Sequence, residues 1–361
     1  MQLQMGRSAL RRAAAAGARM RPRARRCTCA SAAPHVPAAA AAAPAVQAHP
    51  VVYHPDFQIS PLPDGHRFPM PKELGLAGRT FTPTPPDIDT LCLAHDEAYV
   101  RSFLDGSIPA PAMRRIGLPW SAPLVARTLI GTGSAVLAAR LAAQLGVAVM
   151  CNGGTHHAHW DYGAGWCIFN DQAVAARAAQ RDAGVGRCLF VDLDVHQGDG
   201  TAAIFKDDPS VFTFSMHCGD QGFPAQLQQS DLDIALPAGT GDEEYLEALR
   251  GALPRLLSEV RPELVLYNAG ADVSADDSLG KLKLSDAGIA ARDDYVMAAC
   301  AAAGAPVAAA IGGGYSQDHA RIVERHVSLH RAAAAHWPAL AAAAEARREG
   351  ARRRRRGGGA E

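Results

Sequence analysis

The chain has 361 residues, with 36 Lys and Arg against 36 Asp and Glu, so its formal net charge is zero when the histidines are neutral. This balance argues against a protein that wraps nucleic acid through its overall charge, and the 48% hydrophobic content is enough for a sizeable core. The eight cysteines are scattered and form no CxxC pair, which favours free thiols in a reducing compartment over a disulfide framework.

Residues 1–46 differ in composition from the rest of the chain. They contain eight arginines and many alanines, and the first acidic residue of the protein is Asp56. An arginine-rich segment without acids is typical of an organelle transit peptide, so we predict a chloroplast or mitochondrial protein. A low-complexity tail on a nuclear or cytoplasmic protein is the alternative.

Residues 47–338 form the predicted folded domain, in which short apolar runs alternate with helical patterns. The predicted strands are Val51–Tyr53, Val147–Cys151, Cys188–Leu193, Val211–Ser215, Leu264–Tyr267 and Pro306–Ile311. Predicted helices occupy about 122–144, 172–183, 243–259, 285–303 and 318–335. Most of the strands are continuously apolar, which indicates burial on both faces. The alternation predicts a three-layer α/β fold with a mostly parallel sheet between helices.

Residues 339–361 form a predicted low-complexity basic tail. Five consecutive arginines, Arg352–Arg356, are followed by three glycines. Such a run is usually solvated, and a nuclear signal or a nucleic-acid contact is the alternative.

Four predicted strands run directly into glycine-rich, polar stretches. These stretches are Asn152–His157, Asp194–Gly200, Asn268–Asp272 and Gly312–Tyr315. Because the carboxyl ends of parallel strands meet at one edge of a sheet, and binding sites form outside that edge, we expect these polar side chains to lie together.

Asp192, Asp194 and His196 are spaced by two residues, so on an extended backbone they share one face. Asp194 and His196, joined by Asp272 from another strand, would provide two oxygens and one nitrogen. Three protein ligands leave one position open, as a catalytic zinc site requires. A strand end whose acids cap the following helix is the alternative, and the longer pattern with Gly198-Asp199-Gly200 favours the metal.

His156 and His157 follow two glycines at another strand end, and Asp192 and Asp199 are acids that the metal does not need. A histidine paired with a carboxylate is oriented, and its pKa is raised, which suits proton transfer. Tyr315, after three glycines, could donate a hydrogen bond to a developing oxyanion. The sequence therefore predicts a hydrolytic site.

Together these motifs resemble the histone deacetylase family, over about residues 50–335. The motifs that carry the resemblance are Gly153–Ala158, Gly165–Asp171, Asp192–Gly200, Asn268–Asp272 and Gly312–Tyr315. The stretches Asn268–Gly280 and Gly239–Tyr245 are most similar to the class IV branch and its bacterial relatives. The resemblance implies an arginase/deacetylase fold, with a central sheet of about eight strands, for the catalytic domain 47–338.

The resemblance also implies the bound ions. It places one zinc on Asp194, His196 and Asp272. It further implies a monovalent cation, K⁺, held by Asp192, Asp194, His196, Ser215 and Met216.

The resemblance pairs His156 with Asp192 and His157 with Asp199. It assigns proton transfer to His157, electrostatic stabilisation to His156 and oxyanion stabilisation to Tyr315. The implied substrate channel is lined by Gly165, Trp166, Phe223 and Gly313. Many family members have Phe at the position of Trp166. The larger side chain here departs from that pattern and bears on the width of the channel.

We therefore expect a zinc-dependent hydrolase that uses a metal-activated water to remove acetyl or longer acyl groups from lysines of histones or other proteins. Chromatin or corepressor complexes are the expected partners, and no membrane association is expected. A deacylase of small molecules such as acetylpolyamines is the alternative. An arginase-like two-metal hydrolase and a non-catalytic scaffold are disfavoured, because no second Asp-rich metal set is evident and the ligand, His and Tyr set is complete.

Overall fold

The computed structural model of the protein describes residues 49–58 and 79–357, with side chains up to residue 350. The predicted transit segment 1–46 lies outside these residues, as does the very end of the predicted basic tail.

The described residues contain one sheet of eight strands, all of them parallel to their neighbours. The strands are β1 (Pro50–Val52), β2 (Arg79–Phe81), β3 (Val147–Met150), β4 (Cys188–Asp192), β5 (Val211–Cys218), β6 (Leu232–Leu236), β7 (Leu264–Asn268) and β8 (Val307–Ala310). Their order across the sheet is β2-β1-β3-β8-β7-β4-β5-β6. The predicted central sheet of about eight strands is confirmed.

The helices within the described residues number nine. They are α1 (Ile88–Leu91), α2 (Glu97–Asp105), α3 (Ala110–Ile116), α4 (Ala122–Leu145), α5 (Asp171–Ala183), α6 (Asp199–Phe205), α7 (Asp242–Val260), α8 (Asp286–Ala303) and α9 (His319–Gly357). One turn of 3₁₀ helix, Pro55–Gln58, follows β1.

Two apolar layers cover the sheet, one on each face. Successive side chains of a strand point to opposite faces, and β3 shows this clearly: Val149 belongs to the cluster that includes residues of α7, α8 and α9. Its neighbour Met150 belongs to the cluster that includes residues of α4 and α5. Every residue of β3, β4 and β7 is buried, so the predicted arrangement of helices on both faces is confirmed.

Two helices need separate description. By length and composition alone, α4 is the one helix in the described part of the chain that could cross a membrane. Residues of α4 nevertheless lie in the cluster that covers one face of the sheet, which is the environment of a core helix. Helix α9 continues beyond residue 338, where the folded domain was predicted to end. Its Leu340 and Ala344 are buried, and Trp337 Nε1 donates a hydrogen bond to the Leu145 carbonyl (3.2 Å).

Candidate active site

The four strands that precede the polar stretches are neighbours in the sheet, in the order β3-β8-β7-β4. Their carboxyl ends therefore open on one crevice, which contains a cavity of about 520 Å³. Nine of the predicted site residues line this cavity, namely His156, His157, Gly165, Trp166, Asp194, His196, Phe223, Gly313 and Tyr315. Three further predicted residues are buried and contact the histidines that line the cavity: Asp192, Asp199 and Asp272.

Asp194, His196 and Asp272 form a buried group that could hold a metal ion, with one ligand atom of each within 4.8 Å of the others. His196 Nδ1 lies 3.0 Å from Asp194 Oδ1 and 3.3 Å from Asp272 Oδ2. Asp272 Oδ2 is buried and has no hydrogen-bond partner within the protein. Because burial of a carboxylate oxygen without a hydrogen bond is costly, this geometry favours a metal cation shared by the three side chains.

The backbone orients the same two carboxylates. Val195 N donates to Asp272 Oδ1 (3.0 Å) and Gly313 N donates to Asp194 Oδ2 (3.1 Å). A Cβ on Gly313 would lie 2.3 Å from Asp272 Oδ2, so only glycine leaves the space between the carboxylates open. One nitrogen and two carboxylates are ligands that zinc accepts, so the residues present fit the predicted metal.

Electrostatics at this group are strongly perturbed. Burial and the neighbouring carboxylate of Asp194 raise the pKa of Asp272. Burial raises the pKa of Asp194 as well, but His156 and His196 outweigh it and lower that pKa. Such opposed shifts in one cleft are characteristic of functional sites.

The two predicted His–Asp pairs are both present and buried. His156 Nδ1 lies 2.7 Å from Asp192 Oδ2, and His157 Nδ1 lies 2.6 Å from Asp199 Oδ1. The ring centroids of the two histidines are 4.0 Å apart. Both histidines therefore direct their Nδ1 atoms away from the cavity and towards a carboxylate.

The two histidines differ in charge state. Burial lowers the pKa of His156, but the carboxylates of Asp192 and Asp194 outweigh burial and raise it to about 9. For His157, burial and the charge on His156 outweigh Asp199 and lower the pKa to about 4. The surroundings therefore favour the charged form of His156 and the neutral form of His157.

Each carboxylate of these pairs has a second partner to which the sequence patterns assigned no role. Asn268 Nδ2 donates to Asp192 Oδ1 (3.0 Å). His159 Nε2 lies 2.9 Å from Asp199 Oδ2. The signal that could have indicated His159 is the presence of three histidines within four residues, His156 to His159.

The four residues of the predicted substrate channel, Gly165, Trp166, Phe223 and Gly313, all line the cavity. The Phe223 ring packs edge-on against His157, with centroids 4.8 Å apart. A Cβ on Gly165 would lie 2.7 Å from Phe223 Cζ and 3.0 Å from His157 Cδ2, so glycine is required for this approach. Trp166 and Tyr315 lie side by side, with ring centroids 5.2 Å apart.

Hydrogen bonds fasten the loop that carries Tyr315 to the loop after Asp272. Tyr315 N donates to Asp277 Oδ2 (2.6 Å), and Ser278 Oγ donates to the Tyr315 carbonyl (2.5 Å). Burial, with the charges of Asp272 and Asp194, raises the pKa of the Tyr315 hydroxyl well above its ordinary value. The phenol therefore stays protonated and able to donate.

The remaining residues of the predicted monovalent-cation site lie on β5. Ser215 is in register with Asp192 across the β4–β5 ladder, and its hydroxyl is 3.0 Å from His217 Nδ1. Met216 follows it and is fully buried. The structure thus brings Ser215 next to Asp192.

Comparisons with known proteins identify the family of the chain. The histone deacetylase domain family matches residues 69–337. An uncharacterized protein of Picosynechococcus sp. is 50% identical over 79% of this chain and 98% of its own length. Histone deacetylase 2 of Arabidopsis thaliana is 34% identical over 53% of this chain and 50% of its own length. A polyamine deacetylase of Rattus norvegicus is 40% identical over 36% of this chain and 24% of its own length.

The eight-stranded parallel sheet with helices on both faces is an α/β fold of the arginase/deacetylase type. The chain belongs to the histone deacetylase family, and its activity is that of a deacetylase.

Proposed function

We propose that this deacetylase is zinc-dependent and removes acetyl groups from lysine side chains of proteins. The observation that carries the proposal is the buried Asp194–His196–Asp272 group, in which Asp272 Oδ2 makes no hydrogen bond. This group lies beside two His–Asp pairs at a cavity that aromatic residues help to line. This combination is suited to hydrolysis of an amide on a long, thin side chain.

Asp194, His196 and Asp272 would hold the metal. When bound, zinc polarises the amide carbonyl and lowers the pKa of an attacking water. Trp166 and Phe223, which line the cavity, would enclose the methylene chain of the lysine and exclude bulk water.

His157 is the proton acceptor in this proposal. Asp199 is an acceptor only, so His157 Nδ1 must carry the hydrogen that it shares with Asp199. The Nε2 atom of the neutral ring therefore has a free lone pair, which takes a proton from the water and later delivers one to the leaving amine. His156, charged and held by Asp192, stabilises the developing negative charge.

Two further elements of the prediction belong to this proposal. We expect K⁺ at Asp192, Asp194, His196, Ser215 and Met216, and we expect the protein substrate to be met in a chromatin or corepressor complex if the protein reaches the nucleus. A second candidate function is deacetylation of polyamines, which the match to the polyamine deacetylase of Rattus norvegicus favours.

The test is an activity profile of the purified full-length protein on acetyl-lysine peptides, longer acyl-lysine peptides and acetylpolyamines. We expect turnover of the acetyl-lysine peptide, loss of turnover after chelation and recovery with zinc. Asp272→Ala should lose zinc and activity together, because it removes one of three ligands. Turnover of acetylpolyamines alone would support the second candidate, and a zinc-loaded protein without activity on any of these substrates would reject both.

A further inference from the structure

We propose that His159 is a positioning residue of the deacetylase, which fixes the Asp199 carboxylate from the side opposite His157 and thereby keeps His157 in its proton-accepting orientation. The proposal rests on the proposed function, in which His157 accepts the proton. It adds a third member to that pair, so that the working unit is His157–Asp199–His159.

The geometry of Asp199 carries the proposal. Its Oδ1 lies 2.6 Å from His157 Nδ1 and its Oδ2 lies 2.9 Å from His159 Nε2. All three side chains are buried. Because an ionised carboxylate only accepts hydrogen bonds, both imidazoles direct an N–H at it, and each oxygen is committed to a different histidine.

His159 is itself held firmly, as an anchor must be. Its backbone N donates to the Tyr162 carbonyl (2.8 Å), and its ring stacks on the Tyr162 ring at a centroid distance of 4.3 Å and an angle of 14°. The Arg115 guanidinium lies over that tyrosine ring, 4.6 Å from its centroid. Stacking and the backbone hydrogen bond together restrict rotation of the imidazole.

A buried histidine between α1 and α2, His95, holds the backbone of His159. His95 Nδ1 lies 2.9 Å from the His159 carbonyl, which can only accept, so Nδ1 carries the hydrogen. His95 Nε2 accepts from Asn170 N (2.8 Å), which is consistent with that tautomer. The position of His159 is therefore determined from both its backbone and its ring.

The His156–Asp192 pair is held in the same way, with Asn268 in the place of the second histidine. Asp192 gives Oδ2 to His156 and accepts at Oδ1 from Asn268 Nδ2 (3.0 Å). Asp192 Oδ1 also accepts from Asp194 N (3.2 Å). Both carboxylates are thus held through both of their oxygens, and neither is free to turn about its terminal bond. A carboxylate held at one oxygen only could rotate, and the histidine that it orients would lose its alignment with the reacting water.

Replacement by glutamine tests the positioning role directly. The side-chain nitrogen of Gln can occupy about the place of His Nε2, whereas the nitrogen of the shorter Asn cannot reach it. We expect His159→Leu to lower kcat on an acetyl-lysine peptide by about 10- to 100-fold, the range for losing a hydrogen bond to a charged group. KM and zinc content should be unchanged, and His159→Gln should restore most of the lost kcat while His159→Asn should not.

His330→Gln is the control, because His330 is also buried but pairs with His49 instead of a site residue. The kcat of this variant should equal that of the wild type. Equal kcat for wild type and His159→Leu would overturn the proposal. If His159→Leu does not fold, the Gln and Asn variants decide: Asn matching or exceeding Gln also overturns it. A wild-type protein inactive on all acylated substrates would instead reject the proposed function.

Discussion

His156 and His157 show how adjacent residues acquire opposite properties. Both rings are buried, which lowers their pKa values. For His156 the carboxylates of Asp192 and Asp194 outweigh burial and raise the pKa, whereas for His157 burial and the charge on His156 outweigh Asp199 and lower it. The surroundings of the two rings therefore favour a charged His156 and a neutral His157 that can accept a proton. Titratable pairs whose pKa values are pushed apart in this way indicate acid–base roles.

Tyr315 provides the sharpest test of a single hydroxyl. Tyr315→Phe keeps the ring that packs against Trp166 and removes only the proposed donor to the oxyanion. We expect kcat on an acetyl-lysine peptide to fall by about 10²–10³-fold, with zinc content unchanged. Tyr295→Phe, on α8, is the control and should be fully active. Near-normal kcat in Tyr315→Phe would show that this loop closes the site without taking part in the reaction.

Sequence patterns identified the residues whose spacing reflects the chemistry, and missed those whose role depends on packing. Asp194 and His196 follow a strand at a spacing of two, and the structure places them together with Asp272. His159 contacts Asp199 through the fold of the loop up to Tyr162; the cluster of three histidines is visible in the sequence, but it does not indicate this contact. The same holds for the contact of Asn268 with Asp192.

At the scale of elements, the central strands were predictable and the edge strands were not. Strands β3, β4 and β7 are continuously apolar because both of their faces are covered. The edge strand β6 alternates between half-buried and exposed residues, and β2 is largely exposed, so neither has an apolar run. Helix α2 was also missed, although Asp96 caps it by accepting from Tyr99 N (2.9 Å), a recognisable start signal.

Helix α9 and the residue before β1 share a buried histidine pair that makes the fold sensitive to acid. His49 Nε2 lies 3.1 Å from His330 Nδ1, and burial lowers the pKa of both below the ordinary value of about 6.5. The unfolded chain therefore binds more protons than the folded protein below that pH. Stability is fully present above about pH 6.5 and is lost as the pH falls below it.

Removing one member of the pair should flatten this dependence. We expect the free energy of unfolding to fall less between pH 6.5 and pH 5 in His330→Gln than in the wild type, by about 1–2 kcal/mol, because one titrating group contributes at most ~1.4 kcal/mol per pH unit. Urea unfolding at matched pH values measures the difference. Parallel pH dependences of the two proteins would contradict the assignment.

The whole molecule combines a zero net charge with basic ends. The eight arginines of residues 1–46 and the run Arg352–Arg356 lie at opposite ends of the sequence, so the region between them is net acidic. A net charge of zero therefore coexists with two basic segments, residues 1–46 and Arg352–Arg356, each of which is a possible targeting signal.

We propose that residues 1–46 direct the protein to the chloroplast or mitochondrion, on the basis of their arginine-rich, acid-free composition. A fluorescent reporter carrying these residues should accumulate in one of the two organelles, and the same reporter fused to residues 47–361 should not. Reporter confined to the cytosol or nucleus would refute the proposal and would favour Arg352–Arg356 as a nuclear signal.

The strand order has a consequence for biosynthesis. Strands β3 and β4, which precede the paired histidines and the first two metal ligands, are made early but are not neighbours; β8 and β7, made last, fill the space between them. While the nascent chain lacks these strands, β3 and β4 each present an open edge, the kind of surface on which aggregation begins. Closing that gap joins segments distant in sequence, which slows folding. Because Asp272 and Tyr315 directly follow β7 and β8, the catalytic centre is completed only after these two strands are made, and a chain interrupted before Tyr315 is translated contains no finished active site.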